Sequence, residues 1–337
     1  MKAIFLVRNG TPEKAFEILE TKTPVPGDEQ VLIKVEGFGL NFADLVAREG
    51  MYREAPPKPC ILGYDVVGKI VACGKNVTHL KTNDRVVALT RFGGYAEFAV
   101  TDSRAAVKIP ENVNIASASA LATQFCTAYY CAAVLANIRE GEKIIIHSAA
   151  GGVGNALLQF SNYKKCEVFA TTSSASKVSL LKQQGAAHVI NTSTENFYNA
   201  TRAMTHDVDV IFDALGGSYV RKGIKLLAPG GRIICYGASQ MTGVNLFQRI
   251  KTALQFGLYH PAQFMMPSKS LMGVNMLHIA DKRPEIIQHC LQQVLDLFHA
   301  GIFVPLPGKV FKAEDIAAAH RYLQEKKATG KVALKWE

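Results

Sequence analysis

Apolar and polar residues alternate early in the chain, most clearly in residues 30–36, where Val31, Ile33 and Val35 share one face. A two-residue period of this kind is typical of a strand with one buried face. Glycines then punctuate the chain as far as about residue 110, so we expect short strands joined by turns in this region. The pattern changes after that, and the alanine-rich residues 118–138 predict a helix.

Strand-like and helix-like segments alternate in the middle of the chain. The predicted strands are residues 143–147, 167–171, 188–191, 208–213 and 232–236, with helices between them such as 154–163 and 176–184. Alternation of this kind predicts an α/β fold with a doubly wound parallel sheet. Further along, the pattern predicts a strand at 268–275, helices near 284–300 and 313–326, and a last strand at 331–336.

Residues 241–267 interrupt this alternation with an apolar segment rich in Met and Phe. We call it the insert. It fits a lid over a pocket, a membrane-facing patch or part of the core. A lid or core is the favoured interpretation, because the insert lacks the strongly basic polar face that is typical of an interfacial helix.

A small-residue turn separates the first strand of the alternating region from its helix, and it reads Ala149-x-Gly151-x-x-Gly154. This is a dinucleotide fingerprint with alanine in the first position. A strand that enters a helix through such a turn directs free N–H groups at a pyrophosphate. We therefore expect residues Ala150, Gly151, Gly152, Val153 and Gly154 to bind a cofactor. A tight turn without a ligand is the alternative.

The end of the next strand indicates which dinucleotide is bound. NAD-specific proteins place an acidic residue there to hold the ribose 2′-hydroxyl, but residues 170–177 contain none. Ser173, Ser174 and Lys177 offer hydroxyl and ammonium donors instead, which suit a 2′-phosphate. Helix capping by a serine and a solvated lysine is the other interpretation, and it is compatible with phosphate binding. The prediction is NADP(H).

Composition narrows the class of protein. The chain has 337 residues, 48% of them hydrophobic, which is enough for a large core and favours two domains. No segment has the composition of a disordered region, a signal peptide or a membrane span. The seven cysteines are scattered and odd in number, so we expect reduced thiols and a cytoplasmic protein. The net charge of +10 suits an anionic ligand, a membrane surface or nucleic acid without choosing among them.

Several short motifs occur in an order and spacing that resemble the medium-chain dehydrogenase/reductase superfamily, and within it the zinc-free quinone oxidoreductases. The motifs are Asn41-Phe42-Ala43-Asp44, Arg48-x-Gly50-x-Tyr52, Gly63-x-Asp65-x-x-Gly68, Asp84-Arg85-Val86, Gly93-Gly94-Tyr95-Ala96-Glu97, Thr127-Ala128-Tyr129, Ala149 to Gly154, Asp213-x-x-Gly216-Gly217 and Gly330-Lys331-Val332. The carboxy-terminal half looks most like the vesicle amine transport protein homologues, a branch of that family.

The resemblance implies a GroES-like, β-barrel-type catalytic domain plus a doubly wound Rossmann domain. It places the first in residues 1–120 and 268–337 and the second in residues 121–267. It also implies that no metal is bound, because zinc-dependent relatives have Cys and His where this chain has Asn41 and Tyr64. Nor does the sequence contain the closely spaced cysteines of a structural zinc site.

The implied activity is zinc-independent transfer of a hydride from NADPH to a quinone or an α,β-unsaturated carbonyl. Such substrates delocalise the incoming charge, so a hydrogen bond to the developing oxyanion takes the place of a Lewis acid. The expected catalytic residues are Asn41, Tyr52 and Tyr64. For each tyrosine, packing is the alternative role.

The resemblance also assigns the cofactor contacts Thr127, Gly216, Gly237 and Lys331. Thr192 departs from the family, since many relatives have tyrosine at that position near the adenosine phosphate.

A low-turnover NADPH-binding protein that associates with a membrane or with RNA is the alternative function. We expect no nucleic-acid partner, because the sequence has no aromatic and basic cluster of the RNA-binding kind, and peripheral membrane association is not indicated.

The pattern at residues 268–275 predicts the last strand of the Rossmann sheet. This strand would form an edge of the sheet, with Lys269 as its one charged residue. We therefore expect a homodimer that pairs through this edge, with coverage by the insert as the alternative.

Overall fold

A computed structural model describes residues 1–242, 244–325 and 327–336. In chain order, its first elements are β1 (Lys2–Leu6), α1 (Pro12–Ala15), β2 (Phe16–Glu20), β3 (Gln30–Leu40), α2 (Phe42–Arg48), β4 (Cys60–Ile61), β5 (Asp65–Cys73), β6 (Arg85–Leu89), β7 (Phe98–Asp102), β8 (Ala106–Lys108), α3 (Ile115–Ala120) and α4 (Cys126–Tyr129). The elements that follow are β9 (Lys143–Ile146), α5 (Gly152–Tyr163), β10 (Glu167–Thr172), α6 (Val178–Gln183), β11 (His188–Asn191), α7 (Phe197–Met204), β12 (Val208–Asp213), α8 (Ser218–Leu226), β13 (Leu227–Cys235), α9 (Leu246–Phe256), α10 (Ala262–Met265), β14 (Ser270–Gly273), α11 (Met276–Lys282), α12 (Pro284–His299), β15 (Lys309–Lys312), α13 (Ile316–Gln324) and β16 (Val332–Lys335).

The chain divides into two compact units. The first contains residues 1–126, 277–296 and 305–337, and the second contains residues 127–276 and 297–304. The sequence predicts a domain boundary at residue 268. However, β14 pairs with β13 in the sheet of the second unit, so that boundary falls too early in the chain.

Antiparallel strands build most of the first unit. Its seven-stranded sheet runs β15-β16-β3-β5-β6-β8, with β7 also paired to β3, and a smaller sheet runs β2-β1-β4. The central strand β3 shows the predicted alternation, because Val31, Ile33 and Val35 are buried while Lys34 is exposed. The last strand, β16, pairs with β3, so the carboxy-terminal residues complete the sheet that the amino-terminal residues begin.

The second unit is a parallel sheet in the order β11-β10-β9-β12-β13-β14. Numbered along the chain, this is the order 3-2-1-4-5-6 of a doubly wound dinucleotide-binding fold. The predicted fold class is therefore confirmed. In such a sheet, ligands bind at the carboxyl ends of the strands where the order reverses, which here means the ends of β9 and β12.

The alanine-rich helical segment, Ile115–Leu135, is 21 residues long and apolar enough to meet the length and composition of a membrane span. It combines α3 and α4 with two wider, π-helical turns at Leu121–Phe125 and Tyr130–Leu135. Of its most apolar stretch, 61% is buried inside the protein, which is the environment of a core helix.

The insert folds into α9 and α10. Phe256 and Thr252 of α9 pack against the turn that follows β12. The opposite side of the insert is exposed, with Phe247 and Leu254 each 75% accessible and Leu258 99% accessible. The interpretation of the insert as core is therefore wrong for these side chains.

Candidate functional site

The turn between β9 and α5 has the backbone that a dinucleotide fingerprint requires. Gly151 is the residue before the helix, in extended conformation, and no side chain caps the helix there. A Cβ on Gly154 would lie 2.4 Å from the carbonyl oxygen of Ser148, so only glycine fits. The first-turn N–H groups, from Gly152 and Val153 onward, have no acceptor within the helix, and the helix dipole favours a negative group beside them. The predicted loop residues therefore lie together at an anion-binding helix end.

A buried histidine, which the sequence analysis does not predict as a site residue, packs next to the turn between β9 and α5. His147 lies directly after β9, and its Nδ1 is 3.2 Å from the Thr171 hydroxyl, which also accepts the Ser148 N–H at 3.3 Å. The ring meets Phe197 and Tyr219 edge-on at 4.7 and 4.9 Å between centroids. Burial lowers the pKa of His147 to about 3, so the ring is neutral at physiological pH.

The residues predicted to bind the 2′-phosphate follow β10, and the helix-capping alternative does not hold for Ser174. Ser174 does not cap the following helical turn, and its hydroxyl lies 2.8 Å from that of Ser176. Ser173 is exposed and Lys177 is half-buried, and burial lowers the pKa of that lysine. The departure at Thr192 has a structural role, because its hydroxyl donates to the Thr172 carbonyl oxygen at 3.2 Å.

The two glycines predicted after β12 and β13 differ in surroundings. Gly237 is exposed at the carboxyl edge of the sheet. Gly216 is buried, and a Cβ there would lie 2.4 Å from the Phe256 ring, so the glycine makes room for α9. Its N–H donates to buried Asp213 at 2.8 Å. The structure thus gives no free backbone at Gly216 for a cofactor, whereas Gly237 is accessible.

The other predicted cofactor contacts, Thr127 and Lys331, lie in different units. Thr127 is half-buried in α4, in the second unit. Lys331 is fully buried in the first unit, where its ammonium donates to Asp65 at 2.8 Å, Asn41 at 2.7 Å and Thr123 at 2.8 Å. An ammonium has three N–H donors, and all three are used here. Lys331 therefore has no proton left for a cofactor phosphate, and the role assigned from the sequence does not fit its position.

Asn41 is held by the same network. Its side-chain amide donates to Asp65 at 2.7 Å while its oxygen accepts from Lys331, and its backbone N–H donates to Asp44 at 2.7 Å. The amide is thus fixed in one orientation with a single side-chain N–H unassigned. Asp44 is fully buried, and burial, aided by the charge of Asp65, raises its pKa to about 7.

The two predicted tyrosines meet in an aromatic group. The rings of Tyr52 and Tyr64 lie 6.0 Å apart edge to face, and Tyr64 lies 5.2 Å from Phe92. Tyr64 is 5% accessible, and its hydroxyl is buried with no hydrogen-bond partner in the described part of the chain. Burial raises the pKa of Tyr52 to about 12 and that of Tyr64 further, so both hydroxyls keep their protons at neutral pH. A buried hydroxyl without a partner costs free energy and calls for an explanation.

Within the ranges that the structure describes, no three His, Cys, Asp or Glu side chains group as metal ligands. None of the seven cysteines, all of which the structure describes, forms a disulfide.

Comparison with known protein families shows which family has this architecture. The family described as "Alcohol dehydrogenase GroES-like domain" matches residues 27–111, and "Zinc-binding dehydrogenase" matches residues 184–334. The chain belongs to the medium-chain dehydrogenase/reductase superfamily, in its quinone oxidoreductase-like branch, and the resemblance drawn from the motifs is confirmed.

Its relatives include a synaptic vesicle membrane protein VAT-1 homolog of Rattus norvegicus, which is 34% identical over 92% of this chain and 78% of that protein. Quinone oxidoreductase-like protein 2 of Mus musculus is 31% identical over 91% of this chain and 85% of that protein. Among solved structures, JamJ enoyl reductase matches with a TM-score of 0.88 at 27% identity, covering 100% of this chain and 99% of that one. A mycobacterial protein complexed with NADPH matches with a TM-score of 0.86 at 26% identity, covering 99% of this chain and 100% of that one.

Proposed function

We propose that this protein is an NADPH-dependent reductase that transfers a hydride to a quinone or to the double bond of an α,β-unsaturated carbonyl. Membership of the oxidoreductase superfamily supports the reaction type. A quinone oxidoreductase-like relative and an enoyl reductase of similar fold support the two substrate classes, and the NADPH-bound neighbour supports the cofactor.

The residues of the second unit fit the proposed cofactor. The bare backbone from Ala150 to Gly154 would hold the pyrophosphate, because a side chain at Gly154 has no space and no side chain caps the helix. Ser173, Ser174 and Lys177 would hold the 2′-phosphate through hydroxyl and ammonium donors. When bound, the nicotinamide supplies the hydride.

The observation that carries the proposal is the Tyr64 hydroxyl. It is buried, lacks a partner in the described residues and keeps its proton, so it is a preorganised donor for an oxygen that gains negative charge. Tyr52 beside it would orient the substrate through its ring. Asn41, fixed by Asp65 and Lys331, would supply a second donor through its remaining amide N–H.

NADPH oxidation followed at 340 nm tests the proposal, with a simple benzoquinone in one series and a 2-enone in another. Turnover with either acceptor supports it. NADPH binding without turnover in both series would contradict it and favour the binding-protein alternative.

We also propose that the reaction needs no metal, because Tyr64 and Asn41 provide hydrogen-bond donors in place of a Lewis acid. Dialysis against a chelator is then expected to leave the turnover unchanged. Zinc that co-purifies at one equivalent and is lost together with activity would contradict this.

The same protein is proposed to be a cytoplasmic homodimer. Among the described strands, β14 pairs on one side only, with β13, so its outer edge presents unpaired N–H and C=O groups. The insert, in the residues that the structure describes, does not pair with this edge. It adds exposed apolar side chains, such as Met265 and Met266, immediately before β14, and several large exposed apolar groups in one region are typical of an interface. Seven cysteines that form no disulfide suit a reducing compartment.

A further inference from the structure

The loop that carries Tyr52, residues 51–59, has no regular secondary structure and lies between α2 and β4. The Glu54 side chain connects this loop to other segments of the first unit through polar contacts. One carboxylate oxygen of Glu54 lies 3.0 Å from His278 Nε2 in α11, and the other lies 3.6 Å from an Arg91 guanidinium nitrogen. Glu54 is three-quarters buried, which lessens the solvent screening of these contacts.

Arg91 is itself fixed on two sides. Its Nε forms an ion pair with Oδ1 of Asp281 in α11 at 2.9 Å, and its guanidinium carbon lies 5.7 Å from the centroid of the Phe92 ring. Phe92 has a backbone φ of 63°, in the left-handed region that a bulky residue rarely adopts. Such strain persists where the surroundings hold a side chain in place, and here the ring packs 5.2 Å from Tyr64.

These contacts link five residues in a closed ring of neighbours. It runs from Tyr52 to Tyr64 by the ring pair, on to Phe92 and Arg91, and back through Glu54 to the Tyr52 loop. All of its members lie in the first unit.

We propose that Glu54 is a positioning residue, which holds Tyr52 against Tyr64 through its ion pair with Arg91 and its hydrogen bond to His278. The inference rests on the proposed function, in which the two tyrosines contact the substrate. Glu54 itself touches neither substrate nor cofactor. A single exposed ion pair contributes little, but this group joins four charged or ionisable side chains from three segments, which is the arrangement in which such pairs matter.

The test is a double-mutant cycle. Glu54→Gln removes the charge and keeps the shape, and we expect kcat/KM for the quinone or enone to fall roughly three- to tenfold, mainly through KM, with the NADPH affinity unchanged. In a Tyr52→Leu background the same change is expected to have almost no further effect, because the residue on which Glu54 acts is gone. Glu13→Gln, which breaks the Glu13–Arg321 pair of the same unit, is the matched control and is expected to leave kcat/KM unchanged.

A loss of equal size in both backgrounds would overturn the proposal, since Glu54 would then act independently of Tyr52. A second readout does not need turnover. In protein labelled with 3-fluorotyrosine, the Tyr52 resonance is the one that disappears in Tyr52→Phe, and Glu54→Gln is expected to shift and broaden it while Glu13→Gln does not. An unchanged Tyr52 resonance in Glu54→Gln would contradict the inference. If the wild-type protein reduces neither acceptor, the proposed function fails and this resonance alone decides the role of Glu54.

Discussion

Replacing Lys331 by methionine is expected to destabilise the first unit strongly. The side chains have similar length, but methionine cannot donate to Asp65, Asn41 or Thr123, which accept from the ammonium at 2.7–2.8 Å. Asp65 is 0% accessible and would be left with two weaker partners, the Asn41 amide at 2.7 Å and the Thr123 hydroxyl at 3.2 Å.

The size of the effect follows from burial. Removing one member of a buried ion pair costs about 3–5 kcal/mol, because the remaining charge is desolvated without compensation. The pair lies against the Gly39 backbone, where a Cβ would fall 2.2 Å from both the Asp65 carboxylate and the Lys331 side chain, so the site has no space for a larger residue at position 39. Adding Asp65→Asn removes the buried carboxylate that lacks its partner and keeps an acceptor for the Asn41 amide. The double variant is therefore expected to recover much of the free energy of unfolding lost in Lys331→Met.

Urea unfolding followed by tryptophan fluorescence measures this directly. The chain has one tryptophan, Trp336, whose ring lies 6.2 Å from Phe38 in the first unit. The control is Lys75→Met, which breaks an exposed pair with Asp28 in the same unit and is expected to change the free energy of unfolding very little. If Lys331→Met costs no more than this control, or if the double variant is less stable than Lys331→Met, the reasoning about the buried charge is refuted.

Three further predictions concern the cofactor, pH and assembly. In a fluorescence titration NADPH is expected to bind more tightly than NADH, and Lys177→Ala is expected to weaken NADPH alone by roughly 1.5–3 kcal/mol; equal affinities for the two cofactors would contradict this. The native protein binds a proton at Asp44 up to about pH 7, whereas the unfolded chain releases it near the ordinary carboxyl pKa, so the free energy of unfolding is expected to fall as pH rises from about 4 to 7. Asp44→Asn, which keeps an acceptor for the Asn41 N–H, is expected to flatten this decline, which can reach about 4 kcal/mol; an unchanged pH profile of stability would count against the raised pKa. Sedimentation at micromolar concentration is expected to show a dimer that Val274→Pro abolishes, while a single species near 36.7 kDa in the wild-type protein would contradict pairing through β14.

The sheet of the second unit could be predicted from the sequence because its signals are local. Buried strands read as short apolar runs, and the turn at Gly154 has a fixed spacing of glycines. The predicted helix start at Gly154 falls two residues late, because Gly151 takes extended conformation as the cap and α5 begins at Gly152.

The roles of Lys331 and Gly216 could not be predicted in this way, because each depends on a partner far along the chain. Lys331 meets Asp65 across 266 residues, and no periodicity reports such a pairing. Gly216 is a glycine because Phe256 of the insert fills the adjacent space. The resemblance to a family assigns both residues a contact with the cofactor, and their surroundings do not support that contact.

The measurement that tests the central claim most directly is kcat/KM of Tyr64→Phe for NADPH-dependent reduction of a quinone or enone, compared with Tyr52→Phe and the wild-type protein after chelator treatment. Phenylalanine keeps the ring packing against Phe92 and removes only the buried hydroxyl. If that hydroxyl donates to the developing oxyanion, the rate constant is expected to fall by about 10²–10³ with little change in NADPH affinity, and Tyr52→Phe is expected to cost less. A Tyr64→Phe variant that turns over like the wild-type protein would contradict the proposed role of this site.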